Sequence, residues 1–156
     1  MNYFVYAMPP GRLTIAASER GIVRIAFGEV PIDAPRRPSA ITNTAATQLQ
    51  EYFAGKRREF DVTLDLQGTP FQLEVWNALS AIPYGQTCTY AHIAEQIGRP
   101  RAFRAVGMAN NKNPIPIIVP CHRVVGAGGK LIGYAAGIKV KRYLLELEGN
   151  DPASLH

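Results

Sequence analysis

A cysteine followed directly by a histidine lies in the segment "VPCHRVVG", residues 119–126. A thiolate is a strong nucleophile, but a thiol with a pKa of about 8.5 is only a few per cent ionised at neutral pH, so it needs a base nearby. An imidazole can be that base when an acceptor orients it. Cys121 and His122 are therefore candidates for nucleophilic chemistry, although most free cysteines are only small buried side chains.

The chain around Cys121 is apolar but cannot form a regular central strand, because three prolines interrupt it: Pro114, Pro116 and Pro120. We therefore expect a buried, irregular, extended segment that carries Cys121 to the wall of a pocket. Neighbouring side chains of an extended chain point to opposite faces, so contact between Cys121 and His122 would need a turn or an intervening water.

An acceptor for the histidine is found in "IKVKRYLLELEGN", where apolar residues repeat at helical spacing and Gly149 is a candidate helix end. Glu148 falls in the last turn, where the helix dipole disfavours a carboxylate by about 0.3–1 kcal/mol. A surface glutamate is the commoner explanation. A cationic or hydrogen-bonding partner such as His122 would account for the position.

Residues 89–110 read as two short helices around a glycine-containing turn, a spacing typical of a DNA-binding helix-turn-helix and also of an ordinary helical hairpin. The second helix is predicted from "RPRAFRAVGMANN" and carries Arg99, Arg101 and Arg104, with Lys112 just beyond it. Its small residues include Ala102 and Gly107. Positive charge combined with small side chains favours a helix that packs against phosphates.

The rest of the chain positions these elements. Residues 1–66 contain β-rich runs ("NYFVYAM", "LTIAAS", "IVRIAFG"), a helix over 39–54 and a further strand, "REFDVTLDL". Residues 67–156 turn helical, starting with Thr69 as N-cap and Pro70 at the first helical position. The predicted fold is α/β of the α+β type: a small N-terminal β-sheet lobe with a helix, serving as a scaffold, and a mostly helical domain with the helix-turn-helix.

The 156 residues have ordinary globular composition and a net charge of +5, which permits a polyanionic partner without requiring one. No window is apolar enough for a membrane span and no secretory signal is evident, so we expect a cytoplasmic, nucleoid-associated protein. Two cysteines without a C-x-x-C motif and three scattered histidines predict no metal site, and a disulfide between Cys88 and Cys121 is not expected.

With these pieces assembled, the chain closely resembles the O6-alkylguanine-DNA alkyltransferases, which repair DNA by taking an alkyl group onto their own cysteine. The resemblance rests on "PFQLEVWNALSAIPYGQTCTYAHIA", "RAFRAVGMANNKNPIPIIVPCHRVVG" and "LIGYAAGIKVKRYLLELEG", which cover nearly all of residues 70–149. The first lobe resembles the family's N-terminal domain only in outline, and lacks the cysteines that bind zinc in some members.

The resemblance implies a role for each matched residue. Cys121 accepts the alkyl group, His122 activates it through a water, Glu148 orients the histidine and Asn113 braces the turn. Tyr90, at the start of the recognition helix, lines the base pocket and protonates the guanine, while Arg104 fills the space of the flipped nucleotide. Further DNA contacts are expected from Arg99, Arg101, Ala102 and Lys112, and the pocket is expected to include Pro116, Val124, Tyr134 and Ala135.

The implied partner is double-stranded DNA containing O6-alkylguanine, bound through the minor groove with the base flipped out. We expect one turnover per molecule, no cofactor, and a monomer that can cooperate along DNA. Three other functions fit parts of the pattern: a non-catalytic sensor of alkylated bases, a helix-turn-helix regulator, and a thiol hydrolase built on Cys121, His122 and Glu148. The sensor relatives lack the acceptor cysteine, and the basic helix disfavours the hydrolase.

Overall fold

The computed structural model describes all 156 residues, which divide into two compact units, Met1–Gln67 and Gly68–His156. None of the helices is both long enough and apolar enough to cross a membrane.

The first unit is a three-stranded antiparallel sheet in the order β1-β2-β3 with one helix, α1, packed against it. The elements are β1 (Asn2–Met8), β2 (Gly11–Ala17), β3 (Ile22–Phe27) and α1 (Ala40–Phe53). Side chains of β2 from Leu13 onward are buried, and Leu49 and Tyr52 of α1 are fully buried. Ser39 caps α1 in a reciprocal capping box with Thr42. The predicted meander and helix are thus present.

The strand predicted in "REFDVTLDL" is wrong. This segment pairs with the sheet only around Ile22, whose N–H donates to Thr63 O at 2.9 Å and whose carbonyl accepts from Asp65 N at 2.7 Å. A side chain at Gly21 would come within 2.5 Å of Thr63 O, so the two backbones approach closely at this point. The apolar alternation reflects a half-buried extended segment with a single bridge, because the pattern reports burial of one face and not hydrogen bonding along the segment.

The second unit contains four helices and a two-residue parallel strand pair. The helices are α2 (Pro70–Leu79), α3 (Tyr90–Gln96), α4 (Phe103–Asn111) and α5 (Ile138–Leu147), and β4 (Cys88–Thr89) pairs with β5 (Val124–Val125). As predicted, α2 begins at Pro70 with Thr69 as its cap. Trp76 is buried and its Nε1–H donates to Ala109 O at 2.9 Å, which joins α2 to α4.

The helix pair is present, but its second helix begins later than predicted. Gly98 has φ +76 and ends the first helix, and Ala102 N bonds to Arg99 O at 2.9 Å within the connection. Pro100 disfavours the helical conformation for the residue before it, so the chain re-enters the helix only at Phe103. Arg99 and Arg101 therefore lie in the turn and not on α4, which carries Arg104.

Candidate active site

Cys121 begins a three-residue 3-10 turn, Cys121–Arg123, and is not part of an extended segment. The expectation of an extended chain was wrong at this point, because Pro120 starts a turn in which Arg123 N bonds to Pro120 O at 3.0 Å. The turn buries three consecutive side chains, and Cys121 is only 4% exposed. Both cysteines are free.

Asn113 braces the loop that precedes the turn. Its Oδ1 accepts from Ile115 N at 2.9 Å and its Nδ2 donates to Val119 O at 2.7 Å, so one side chain ties the two ends of the loop together. Between them Ile117 has φ +74 while its side chain is buried. A β-branched residue in this region is strained by roughly 1–3 kcal/mol, and such strain persists only where the surroundings enforce it.

His122 is held by Glu148 inside the protein. The distance from His122 Nε2 to Glu148 Oε2 is 2.7 Å, and neither side chain is exposed. The other ring nitrogen, Nδ1, has no hydrogen-bond partner. Burial lowers the pKa of His122, although the carboxylate opposes that shift. A neutral imidazole with its proton on Nε2 fits this arrangement, because the carboxylate accepts that proton and leaves Nδ1 basic.

Glu148 has a second partner, Arg123. Arg123 Nε lies 2.8 Å from Glu148 Oε1 and Arg123 Nη2 lies 3.0 Å from Oε2. The remaining guanidinium nitrogen, Nη1, donates to Ile82 O at 2.7 Å, and the Tyr84 ring faces the guanidinium at 5.7 Å. Glu148 is the C-cap residue of α5, and its unfavourable position is compensated by a bidentate cation as well as by the histidine.

The Cys121 thiol is surrounded by groups that favour its ionised form. Burial raises the pKa of Cys121, while the polar side chains of Asn113 and Tyr134 and the charge of Lys141 lower that pKa. The sulfur is thus a thiol in the resting protein, with three groups placed to stabilise a thiolate when one forms.

Lys141 of α5 is fully buried, and all of its hydrogen bonds go to neutral oxygens. Its Nζ donates to Ile132 O at 3.2 Å, Gly133 O at 3.4 Å and Tyr90 Oη at 3.5 Å. Burial lowers the pKa of Lys141 to about 8, and the nearby Cys121 opposes that shift.

Tyr90 is the first residue of α3, not of α4, so the prediction that it starts the recognition helix was wrong. Its hydroxyl donates to Ile132 O at 2.9 Å, and burial raises the pKa of Tyr90 to about 12. A Cβ at Gly107 of α4 would lie 3.8 Å from the Tyr90 ring, which shows how closely the two helices pack. Electrostatic interactions therefore join three side chains into one cluster: Tyr90, Lys141 and Cys121.

Comparisons with known proteins identify the family of the chain. Residues 70–150 match the DNA-binding domain model of 6-O-methylguanine DNA methyltransferase, and residues 1–66 match the ribonuclease-like domain model of the same proteins. The methylated-DNA–protein-cysteine methyltransferase of Methanosarcina acetivorans is 50% identical over 96% of this chain and 99% of the relative. That of Mycobacterium bovis is 50% identical over 99% and 97%.

The chain belongs to the 6-O-methylguanine DNA methyltransferase family. A crystal structure of Mycobacterium tuberculosis OGT in complex with DNA superposes with a TM-score of 0.90 at 48% identity, covering 99% of this chain and 95% of that one. The predicted fold class is confirmed by this similarity.

The candidate DNA-contacting residues of this methyltransferase-family chain lie along and before α4. Arg101 and Arg104 are exposed, Lys112 is the exposed C-cap of α4, and Ala102 is its half-buried N-cap. Arg99 is 3.8 Å from Glu74 and its guanidinium faces the Phe71 ring at 5.6 Å. Arg99 is thus already engaged, whereas Arg104 projects from the first turn of α4.

The candidate pocket residues differ in how they are presented. The Tyr134 side chain lowers the pKa of the Cys121 thiol, Pro116 is half-buried in the loop braced by Asn113, and Ala135 is exposed. Val124 is fully buried in β5, opposite Cys88, so only its backbone could face a ligand. The structure brings Cys121, His122, Glu148, Asn113, Tyr134 and Tyr90 into one region through direct contacts or electrostatic coupling.

Two residues of the site were missed from the sequence, Arg123 and Lys141. Both had a signal. Arg123 lies in an apolar segment that shows no alternation of polar and apolar residues. Lys141 precedes Leu144 by three residues and Glu148 by seven, so all three lie on one face of α5. A buried cation at such a position requires an acceptor or a function.

Proposed function

We propose that this protein repairs DNA by direct reversal, transferring the alkyl group from O6-alkylguanine in duplex DNA to the sulfur of Cys121. The observation that carries the proposal is the buried chain of contacts from Arg123 through Glu148 to His122, next to a buried free cysteine. Membership in the methyltransferase family and the exposed basic residues of α4 support the same function.

The first step is activation of the thiol. Arg123 fixes the Glu148 carboxylate, the carboxylate holds the Nε2–H of His122, and Nδ1 accepts the Cys121 proton through a bridging water. The thiolate is stabilised by the Asn113 and Tyr134 side chains and by the charge of Lys141. A preorganised site of this kind avoids reorganisation during the reaction.

The second step is displacement at carbon. The thiolate attacks the alkyl carbon, the bond from carbon to O6 breaks, and its electron pair stays on the guanine. A proton from the Tyr90 hydroxyl neutralises the guanine. Tyr90 alone is a weak acid with a pKa of about 12, but Lys141, with a pKa of about 8, lies 3.5 Å from its oxygen and can replace the proton.

The products are guanine and a Cys121 thioether. The neighbouring side chains offer no second nucleophile that would cleave a thioether, so each molecule reacts once. The O6 atom is inaccessible inside a duplex, so the nucleotide must be flipped out. We assign α4 to the minor groove, with the Arg104 side chain filling the space of the flipped nucleotide, and we expect the protein to act as a monomer.

The proposal is tested by incubation with a duplex oligonucleotide containing O6-methylguanine, followed by tryptic peptide mass analysis. Arg101, Arg104 and Lys112 separate the two cysteines, so Cys88 and Cys121 fall in different peptides and Cys88 is an internal control. One methyl group per protein on the Cys121 peptide, with an equal amount of repaired guanine, is the expected result. An unmodified Cys121 peptide beside unrepaired DNA overturns the proposal, and repeated turnover overturns the single-use mechanism.

A further inference from the structure

Two large apolar side chains of α4 are exposed and have no role in the chemistry described so far. Phe103 is 46% exposed and Met108 is 63% exposed. The buried face of the same helix is formed by Val106, Ala109 and Asn110. The other exposed side chains of α4 belong to Arg104, Ala105 and Asn111, so Phe103 presents a large aromatic ring to water beside basic, small and polar residues.

Phe103 lies next to Arg104 at the start of α4. It is the first residue of α4 and directly precedes Arg104 in the chain. It is also one helical turn before Gly107, whose position faces the Tyr90 ring, so Phe103 lies on the Tyr90 side of α4. Met108 is four residues after Arg104 and lies on the outward stripe instead.

We infer that Phe103 is an aromatic wedge that stacks on a base beside the flipped nucleotide, while Arg104 fills the space that the nucleotide leaves. The inference rests on the proposed function, because it requires duplex DNA with an extruded base. Apolar side chains inserted between base steps are a common means of bending DNA from the minor groove. Stacking of one base on an aromatic side chain contributes about 1–3 kcal/mol.

Charge decides which partner covers Phe103. The exposed basic side chains near Phe103 are Arg101 in the preceding turn, Arg104 in α4 and Lys112 at the end of α4. The helix has no acidic residue. A second copy of the chain would place like charges opposite one another around the ring. A polyanion with stacked aromatic faces satisfies both the ring and the cations.

Tryptophan at position 103 reports the contact directly. The chain has one tryptophan, Trp76, which is 2% exposed and supplies a constant background. A Cys121→Ala background stops the reaction before transfer. In that background, the fluorescence added by Phe103→Trp should be quenched more strongly by the O6-methylguanine duplex than by the undamaged duplex. The same duplex should also shield it more strongly from acrylamide. Met108→Trp, the matched control, should respond equally to the two duplexes. A Phe103→Trp signal that is equal for both duplexes, or that changes with protein concentration alone, overturns the inference.

Removal of the ring gives a functional measurement. Phe103→Ala should weaken binding to the O6-methylguanine duplex by roughly fivefold to hundredfold, with Phe103→Leu between it and the unchanged protein. Met108→Ala should change binding less than twofold, and thermal denaturation verifies that all variants are folded. If the unchanged protein methylates Cys121 and Phe103→Ala binds equally well, the wedge is refuted while the repair function stands. If Cys121 is never methylated, the proposed function itself fails.

Discussion

Arg123 and Glu148 form a buried bidentate ion pair, with Nε 2.8 Å from Oε1 and Nη2 3.0 Å from Oε2. The same carboxylate contacts His122 at 2.7 Å, so the arginine fixes the group that orients the imidazole. The residue that follows the Cys-His pair in sequence thereby closes a three-residue network around the candidate base. If Arg123 positions this network, loss of the arginine should affect both the stability of the protein and the rate of transfer.

Arg123→Gln should destabilise the second unit by about 3–5 kcal/mol, because it leaves the Glu148 carboxylate buried without its cation. Urea unfolding followed by the fluorescence of Trp76, which lies in that unit, measures the change. The control is Arg99→Gln, which removes an exposed ion pair with Glu74 and should change stability by less than about 1 kcal/mol. Equal effects of the two substitutions would contradict the network.

His122→Gln should slow methyl transfer by about 10²–10⁴-fold at pH 7, the usual contribution of a general base. The deficit should shrink at pH 9, because hydroxide in the solvent then ionises more of the Cys121 thiol without help. Single-turnover rates at saturating duplex concentration measure both values. A deficit that is independent of pH would show that His122 acts in some other way.

Tyr134→Phe should move the pH dependence of transfer to higher pH. The rate is expected to rise with pH as the thiolate forms, since burial raises the pKa of Cys121, and the Tyr134 hydroxyl opposes that shift. Loss of one hydrogen bond to a charged group should lower the rate at pH 7 by about tenfold. Binding to an undamaged duplex should stay the same, and an unchanged rate profile would exclude the hydroxyl from thiolate stabilisation.

Lys141 should make stability depend on pH. Its pKa is about 8 in the folded protein and about 10.4 in an unfolded chain. Between these values the unfolded state binds more protons, so the free energy of unfolding rises with pH. We expect a rise of roughly 1–3 kcal/mol from pH 7 to 10.

Burial raises the pKa of Cys121, so its contribution to stability changes with pH in the opposite sense, and the comparison is made in the Cys121→Ala background. Urea unfolding of that variant, with and without Lys141→Met, isolates the lysine. Two parallel curves would mean that Lys141 is not buried as a charged group.

Arg104→Ala should mainly reduce nucleotide flipping and slow transfer, because the space left in the duplex would no longer be filled. Arg101→Ala, in the turn before α4, should weaken binding to damaged and undamaged duplexes alike and reduce the salt dependence by about one phosphate contact. Fluorescence of 2-aminopurine at the target position measures flipping for both variants. Transfer at the unchanged rate in Arg104→Ala would refute its assigned role.

The sequence by itself determined the elements that depend on local rules. Thr69 and Pro70 start α2 as predicted, and Gly149, with φ +95, follows the last turn of α5, because caps and glycine conformations are decided by a few neighbouring atoms. The motif around Cys121 likewise indicated a candidate nucleophile and identified the family. It also indicated that Glu148 needed a polar partner.

Tertiary structure decided what those residues touch. The burial of Lys141, the bond from Arg123 to Ile82 O and the strained φ of Ile117 each depend on segments far apart in the chain or on the packing around them. The segment "REFDVTLDL" failed as a strand for the same reason, since an alternating pattern records which side chains face the core but not which backbone lies beside them. Local propensity places an ionisable side chain on one face of a helix. Only the packed core determines whether that side chain has an oppositely charged partner, lies near a thiol or has its pKa changed by burial.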